Sequence, residues 1–345
     1  MIKPRRLNKG DTIALVSLSS GMAGDKEYLH KFLLGKARLE NDFGLKAIVM
    51  PNALKGSEYL DKHPEARTSD LMEAFKNKEI KGIISIIGGD DTVRLLPYID
   101  YEVIKNNPKI FMGYSDTTVN HFMMYKAGLI SYYGPAVLSE FGENNKMHDY
   151  TVKYINEVLF EGKNNISIES SSEWTSEFLD WSNEENDNIL RNMNVEEHGF
   201  EVLQGKGEFS GELLGGCIDV FQMITGTDVW PKKDEWKNKI LFLETGEDEP
   251  EPDTVKYLLR NLVAQGIIDE ISGIIVGKPS NEKYYEEYKE VFKRVIALEA
   301  LKKDLPILYN VNFGHTAPMC ILPIGCKVLV NLDSKKIIIT ESPVK

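Results

Sequence analysis

The sequence predicts an α/β fold with two domains: an N-terminal, Rossmann-like domain built on a parallel sheet, and a second, α+β or β-rich domain at the C-terminal end. Three observations predict this fold. Short apolar runs alternate with helical patterns through the first half of the chain, as they do in βαβ units. Each run ends in turn residues and is too short for an independent helix. The length of 345 residues suits about two domains.

Four apolar runs in the first half are predicted to be strands that are buried on both faces of a parallel sheet. They are TIALVSL (12–18), LKAIVM (45–50), GIISII (82–87) and KIFMG (109–113). Helical patterns lie between them, such as LMEAF, which opens at Ser69-Asp70. In sheets of this kind ligands bind beyond the carboxyl ends of the strands. The clusters Ser19-Ser20-Gly21 and Gly88-Gly89 follow two of these ends, so we expect the functional site there.

The second half resumes with apolar runs that predict four further strands. They are KILFLE (239–244), GIIVG (273–277), PILYNV (306–311) and CKVLVNL (326–332), with helices around 253–265 and 284–301. The last run and KIIITE form a predicted hairpin around Asp333-Ser334. Residues 166–205 are polar and acidic and are predicted to form a linker or substrate loop. This segment separates an N-terminal domain of residues 1–165 from a C-terminal domain of residues 206–345.

Composition excludes several classes of protein. With 41 Lys+Arg against 53 Asp+Glu, the net charge of −12 argues against binding to duplex nucleic acid or to an anionic membrane surface. Three cysteines, Cys217, Cys320 and Cys326, cannot form a disulfide framework and indicate a reducing compartment. No apolar run has the length of a signal peptide or a membrane span. We therefore expect a cytoplasmic protein without nucleic-acid or membrane partners.

The segment GYSDT (113–117) places Ser115 at a predicted strand-to-helix turn. A serine there presents its hydroxyl at the sheet edge, and the amide of Asp116 points at the same space. This arrangement suits a nucleophile with one oxyanion donor, although a serine at this place also commonly caps the helix. The Gly88-Gly89 turn lets the backbone approach a ligand closely and offers its amides as donors. The alternative is that it is an ordinary turn.

Two residues of the second half are candidate partners for such a serine. His315 follows a predicted buried strand, where bases are often held, although a lone loop histidine is more often structural. Glu244 ends the strand KILFLE, and a carboxylate buried there needs a partner such as an imidazole N–H, unless it only begins an acidic loop. Cys217 could be a thiol nucleophile or a small buried side chain. No cysteine or histidine spacing fits a metal site.

Five motifs, in this order, resemble those of the serine LD-carboxypeptidases: GGDDTVRLLPYID, GYSDTT, LLGGCID, ILFLETGED and GHTAP. The resemblance spans most of the chain. It implies a Ser-Glu-His triad and an oxyanion hole made by two amides, with no cofactor or metal. The triad maps onto Ser115, Glu244 and His315, and the oxyanion hole onto the amides of Asp116 and Gly89, with Gly88 beside them. The resemblance also implies a homodimer.

Two segments, DDTVRLLPYID and EWTSEFLDW (173–181), are more similar to the microcin C self-immunity (MccF-like) branch. That branch cleaves the amide between an aspartyl group and a sulfamoyl- or phosphoramide-linked adenosine. The resemblance therefore implies a small peptidyl-nucleotide substrate, such as processed microcin C. It places Asp91 at the substrate and implies that Trp181 or Trp174 stacks on the nucleobase, unless both pack against the domain. Cys217 stands where many relatives have an asparagine near the substrate, and a thiol makes fewer hydrogen bonds.

Two other functions fit these residues. The same serine carboxypeptidase chemistry could remove the terminal D-Ala from a murein tetrapeptide. Alternatively, the chain could be a non-catalytic protein that binds a nucleotide or peptide. In the enzyme hypotheses, Ser115 comes from the first half of the chain, whereas Glu244 and His315 come from the second. We therefore expect the site to straddle the two halves, and each half alone to be inactive.

Overall fold

Two β-sheets joined through one continuous apolar core organise the chain. A computed structural model describes all residues, 1–345. The strands are β1 (Thr12–Val16), β2 (Lys46–Val49), β3 (Ile80–Ser85), β4 (Ile110–Gly113), β5 (Ser131–Tyr133), β6 (Ile166–Ile168), β7 (Glu173–Trp174), β8 (Asn194–Val195), β9 (Glu201–Gln204), β10 (Glu208–Cys217), β11 (Lys239–Glu244), β12 (Gly273–Gly277), β13 (Ile307–Val311), β14 (Leu322–Ile324), β15 (Lys327–Asn331) and β16 (Lys336–Ile339).

The α-helices are α1 (Leu29–Asn41), α2 (Ser57–Lys62), α3 (Pro64–Lys76), α4 (Tyr101–Asn106), α5 (Thr118–Lys126), α6 (Asp149–Ile155), α7 (Ile218–Ile224), α8 (Pro252–Ala264), α9 (Ile267–Glu270) and α10 (Tyr285–Phe292). Helix α3 begins at Pro64 and not at the predicted Ser69, because proline at the first helical position has a suitable φ and lacks an N–H that would have no partner there. None of the helices combines the length and the apolar character needed to cross a membrane.

The first sheet has the strand order β14-β5-β4-β3-β1-β2. The pairs among β1 to β5 are parallel, and only β14 is antiparallel to its neighbour. Ile13, Ile83 and Phe111 in its central strands are fully buried, as expected for strands covered on both faces. The predicted parallel sheet is therefore confirmed. Strand β2 lies on one side of β1 and strand β3 lies on the other, so the direction of the strand order changes at β1. The loops after β1 and β3 therefore border a switch point, where ligands bind in sheets of this kind.

The second sheet has the order β6-β16-β15-β10-β11-β12-β13-β9. Its centre, β10 to β13, is parallel, and antiparallel strands lie at both sides, including the predicted β15–β16 hairpin. The sequence does not predict the ten-residue strand β10, whose GELLGG segment carries three glycines. Glycine weakens a strand signal, but Gly215 packs so closely on the Phe242 backbone that no side chain fits.

The polar segment 166–205 is not detached from the sheets. It begins with β6 beside β16 and ends with β9 beside β13, and between them β7 and β8 form a two-stranded ribbon. Strand β14, which belongs to the C-terminal part of the chain, pairs with β5 of the first sheet. The boundaries at 165 and 205 remain predictions, and β14 completes the first sheet from beyond them.

Candidate active site

Ser115 stands at a strained turn at the carboxyl end of β4. Its φ is +62°, a left-handed value that is uncommon for a residue with a side chain and typical of a nucleophile elbow. A single helical turn, Ser115–Thr117, then leads into α5. The turn needs a close neighbour without a side chain, because a Cβ on Gly88 would lie 3.1 Å from Ser115 Oγ and 3.4 Å from the Asp116 amide nitrogen.

Glu244 and His315 meet beside this turn. Glu244 is the last residue of β11, and its side chain has no exposed surface. His315 lies in the turn after β13, and its Nδ1 is 2.7 Å from Glu244 Oε2. Gly314 has a φ of +95°, and a side chain there would collide with the Glu244 carboxylate. The buried carboxylate therefore has the imidazole partner that the sequence predicts, and it fixes the orientation of the ring.

Tyr133 connects the two sides of the site. Its fully buried hydroxyl accepts a hydrogen bond from the Ser115 backbone N–H at 3.1 Å and donates a short hydrogen bond to Glu244 Oε1. Sequence reasoning missed this residue. The available signal was the run ISYYG after α5, because a tyrosine in a buried strand needs a partner for its hydroxyl.

A cavity of about 540 Å³ opens over these residues. One group of lining residues surrounds the candidate nucleophile and comprises Gly88, Gly89, Tyr114, Ser115, Glu247 and His315. A second group comes from α1 and from the polar segment and comprises Lys31, Phe178, Trp181 and Arg191. Trp181 and Phe178 lie 5.7 Å apart between ring centroids, and Lys31 Nζ is 5.9 Å from the Trp181 centroid. The cavity therefore joins a candidate catalytic centre to an aromatic wall with a cation beside it.

Three predicted substrate-binding residues lie outside this lining. Trp174 is 7% exposed, and Lys278 Nζ covers its ring at 4.3 Å. Asp91 is paired with the buried guanidinium of Arg67. Cys217 is 2% exposed and lies behind Glu244. Of the two tryptophans, only Trp181 is available to a ligand in the cavity.

The Cys217 thiol is held in its protonated form. Burial raises its pKa well above the usual value, and the nearby Glu244 and Asp219 carboxylates raise it further, so it is a poor nucleophile. The ligand atoms of Cys217, Glu244 and His315 lie within 4.8 Å of one another. However, two of these three residues, Glu244 and His315, are already hydrogen-bonded to each other. This favours the interpretation that they are paired as in a catalytic triad, with a neutral thiol beside them.

Glu247 contacts the other ring nitrogen of the imidazole. Its Oε2 is 2.7 Å from His315 Nε2, within ion-pair distance but outside hydrogen-bond geometry. Burial alone would lower the pKa of His315, but the charges and contacts of Glu244 and Glu247 outweigh it and raise that pKa well above its usual value. In return, the imidazole lowers the pKa of Glu247 to about 2. Sequence reasoning treated this residue only as part of a solvated acidic loop.

Two family models match the chain. The LD-carboxypeptidase N-terminal domain matches residues 13–134, which contain Ser115. The LD-carboxypeptidase C-terminal domain matches residues 210–330, which contain Glu244 and His315. The two matches thus cover most of both sheets and the candidate site between them.

Individual proteins are similar over nearly the whole chain. The microcin C7 self-immunity protein MccF of Escherichia coli is 31% identical over 96% of this chain and 94% of that protein. A probable murein peptide carboxypeptidase of Bacillus subtilis is 28% identical over 98% of this chain and 94% of that protein. The solved structure of an MccF-like protein from Streptococcus pneumoniae in complex with AMP has a TM-score of 0.88 and 35% identity, covering 96% of this chain and 99% of that one.

Proposed function

Since the chain belongs to the LD-carboxypeptidase family, we propose that it is a serine-type amide hydrolase that acts on small aminoacyl- or peptidyl-nucleotide amides. The observation that carries the proposal is the Glu244–His315 hydrogen bond of 2.7 Å, on the wall of the same cavity as Ser115. A buried carboxylate that orients an imidazole beside a serine at a strained turn is the arrangement that serine acyl transfer needs.

In the proposed mechanism, Ser115 Oγ attacks the amide carbonyl while His315 Nε2 takes the hydroxyl proton. The amides of Asp116 and Gly89 donate to the oxyanion. His315 then gives its proton to the leaving nitrogen, the C–N bond breaks, and the acyl group remains on Ser115. Water attacks this ester, again with its proton passing to His315, which releases the acid and restores Ser115. Glu244 stabilises the imidazolium that forms twice in the cycle.

The aromatic wall supports a nucleotide as the leaving group. Trp181 and Phe178 offer apolar surface on which a base can stack, and Lys31 adds a buried cation beside the ring. Stacking of this kind contributes about 1–3 kcal/mol per base. The names of two similar proteins point the same way, since one is a microcin C7 self-immunity protein and the other was solved with AMP.

A direct test is hydrolysis of an aspartyl-adenylate amide analogue by purified protein, followed by chromatography of the released nucleotide. Wild type should turn the analogue over, and Ser115→Ala should bind it but lose about 10⁶-fold in kcat, the loss expected when a triad serine is removed. Ser334→Ala, in the turn between β15 and β16, is the control and should match wild type. Binding without turnover by wild type would favour a non-catalytic binding protein, and equal measurable rates for wild type and Ser115→Ala would exclude Ser115 as the nucleophile.

A second candidate function has its own support. A murein tetrapeptide whose terminal D-Ala is removed by the same Ser115 chemistry fits the family, and one similar protein is a probable murein peptide carboxypeptidase. Parallel assays with an L,D-tetrapeptide and the aspartyl-adenylate analogue separate the two. Higher kcat/KM for the tetrapeptide would assign the chain to murein peptides and leave Trp181 without a nucleotide to bind.

A further inference from the structure

A network of hydrogen-bonded polar side chains lies behind the proposed oxyanion hole and is separate from the triad residues. The Ser19 hydroxyl, at the end of β1, donates to Asp116 Oδ2 at 2.7 Å. The Thr92 N–H donates to the same oxygen at 2.9 Å. Asp116 has no exposed surface and Ser19 is 5% exposed, so neither bond competes with solvent. The carboxylate next to the nucleophile therefore faces the protein interior, where it binds two other loops.

Asp91 and Arg67 extend this hydrogen-bond network. The guanidinium of Arg67, which is fully buried on α3, donates to both oxygens of Asp91, with Nη2 to Oδ2 at 2.9 Å. Its Nη1 also donates to the Ser19 carbonyl at 3.0 Å. The Ser19 hydroxyl lies 3.3 Å from Asp91 Oδ1 and 2.7 Å from Asp116 Oδ2. Because the Ser19 hydroxyl has one proton for two carboxylates, the shorter contact identifies Asp116 as the main acceptor of that hydroxyl.

Ser19 also supports the glycine turn directly. Gly89 has a φ of +147°, and any Cβ there would collide with Ser19 Oγ. The Ser20 N–H donates to the Gly88 carbonyl at 3.0 Å. The loops after β1, β3 and β4 therefore meet around one hydroxyl. Two of those loops carry Gly89 and Asp116, whose backbone amides donate to the oxyanion in the proposed mechanism.

We propose that Ser19 is a positioning residue that sets the distance between the two oxyanion donors by holding Asp116 against the Gly88-Gly89 turn. The inference rests on the proposed function, because it concerns the same acyl transfer. Preorganised donors act on the transition state more than on bound substrate. Loss of the Ser19 hydroxyl should therefore lower kcat and leave KM nearly unchanged.

The test compares Ser19→Ala with Ser17→Ala. Ser17 is a buried serine two residues earlier, and its hydroxyl donates to the Ala53 carbonyl at 2.8 Å, away from the site. Each variant loses a buried serine hydroxyl with its hydrogen bonds, so both melting temperatures should fall. Only Ser19→Ala should lose about 10- to 100-fold in kcat, somewhat less than the loss of a whole oxyanion donor, with KM within about twofold. Equal kcat values for the two variants would overturn the inference.

A double-mutant cycle covers the case in which Ser19→Ala also weakens folding. Asp116→Ala removes the acceptor, and Asp116→Asn keeps an acceptor oxygen for Ser19 and Thr92. We expect Asp116→Ala to resemble Ser19→Ala, the Ser19→Ala/Asp116→Ala double variant to lose no more than either single variant, and Asp116→Asn to lose less kcat than Asp116→Ala. Residues that act through one contact show such non-additivity. Additive losses would contradict a shared role.

The rate at which a fluorophosphonate modifies Ser115 provides a second readout. The Ser115 oxygen bonds to phosphorus while its proton passes to His315, the P–F bond breaks and fluoride leaves, and the phosphoryl oxygen takes the oxyanion position. A slower reaction of Ser19→Ala than of Ser17→Ala supports the inference, and equal rates contradict it. Wild type that neither hydrolyses the aspartyl-adenylate analogue or the tetrapeptide nor reacts with the probe would refute the proposed function and the inference together. Active wild type with equal variants refutes only the inference.

Discussion

The Tyr133 hydroxyl is shared between the backbone of the candidate nucleophile and the carboxylate of the proposed triad. It accepts from the Ser115 N–H and donates to Glu244 Oε1, while Glu244 Oε2 binds His315. Burial and the Glu244 charge raise the pKa of Tyr133 well above its usual value, so the group remains a donor. One phenol thus binds the strained turn and the Glu244 carboxyl group together.

Tyr133→Phe should therefore reduce catalysis as well as stability. We expect kcat to fall about 10-fold, and the free energy of unfolding by about 1–2 kcal/mol for the two lost buried hydrogen bonds. The matched control is Tyr132→Phe, because its neighbouring buried hydroxyl donates to the Pro343 carbonyl at 2.9 Å. Kinetics and thermal unfolding of the pair check this. The same kcat in both variants would remove Tyr133 from the site.

Glu247 should set the pH dependence. His315 must be neutral to accept the Ser115 proton, and Glu244, Glu247 and Asp219 all present carboxylates to it. Removing one negative charge in Glu247→Gln lowers the pKa of His315, so the acidic limb of kcat/KM moves to lower pH and activity below that limb rises. Asp248→Asn, an exposed change in the same loop, is the control. If the acidic limb of kcat/KM lies at the same pH in Glu247→Gln and wild type, Glu247 does not contact His315 in the working enzyme.

The sequence indicates Ser115, Glu244 and His315 as candidates because each follows or ends a buried strand, where a polar residue needs a partner or a function. Tyr133 and Glu247 give weaker signals. A tyrosine inside an apolar strand is typical of core, and one glutamate among several in ETGEDEPEPD (244–253) has no distinguishing neighbour. Their roles depend on loops from separate sheets meeting, and residue spacing does not encode that meeting.

At the scale of elements, the polar segment that carries Trp181 is held at several points. Arg191 forms a two-point ion pair with Glu143, and Asp187 binds His30 at 2.7 Å. On its other side, the fully buried Lys278 contacts Glu196 at 3.1 Å and covers Trp174. Trp174 thus anchors the segment, while Trp181 faces the cavity. Because buried charges cost free energy unless paired, these contacts favour one position of the aromatic wall.

Trp181→Ala should raise KM for a nucleotide amide about 5- to 150-fold, the equivalent of about 1–3 kcal/mol of stacking. Its effect on an L,D-tetrapeptide should be small, because that substrate has no base. Trp181→Phe keeps an aromatic ring and serves as the control, with an intermediate KM. Steady-state kinetics on both substrates check the prediction. An equal loss on both would indicate that Trp181 supports the cavity wall in general.

The strands that sequence patterns predict correctly are those with continuous apolar runs. β11 and β12 match the predicted ranges, and β4 differs by one residue. Missed elements have weaker local signals: β10 contains glycines, and β5, β6 and β14 are three residues long. Helix α10 ends at Phe292, and residues 293–299 continue in a wider helical form, where the sequence predicts one helix to 301. Tertiary pairing, more than local preference, defines these elements.

At the scale of the whole molecule, the two parts of the chain complete each other. Strand β14 closes the first sheet beside β5, the strand of Tyr133, and the Cys217 N–H donates to Thr118 Oγ1 of α5 at 3.0 Å. The candidate nucleophile Ser115 and its candidate partners Glu244 and His315 come from opposite sides of this junction. A part consisting of residues 1–165 would expose the β5 edge and the apolar residues now buried under β14, a recognised cause of aggregation.

A cut chain should therefore work only while its parts stay together. The loop Gly162–Asn165 is largely exposed and lies between the two parts, so a protease site inserted there allows cleavage of the folded protein. We expect the nicked protein to keep most of its hydrolase activity, because the interface holds both parts. Parts separated in denaturant and refolded singly should be inactive, and refolding them together should restore activity. The uncut insertion variant is the control. Activity in the isolated N-terminal part would show that Ser115 works without Glu244 and His315.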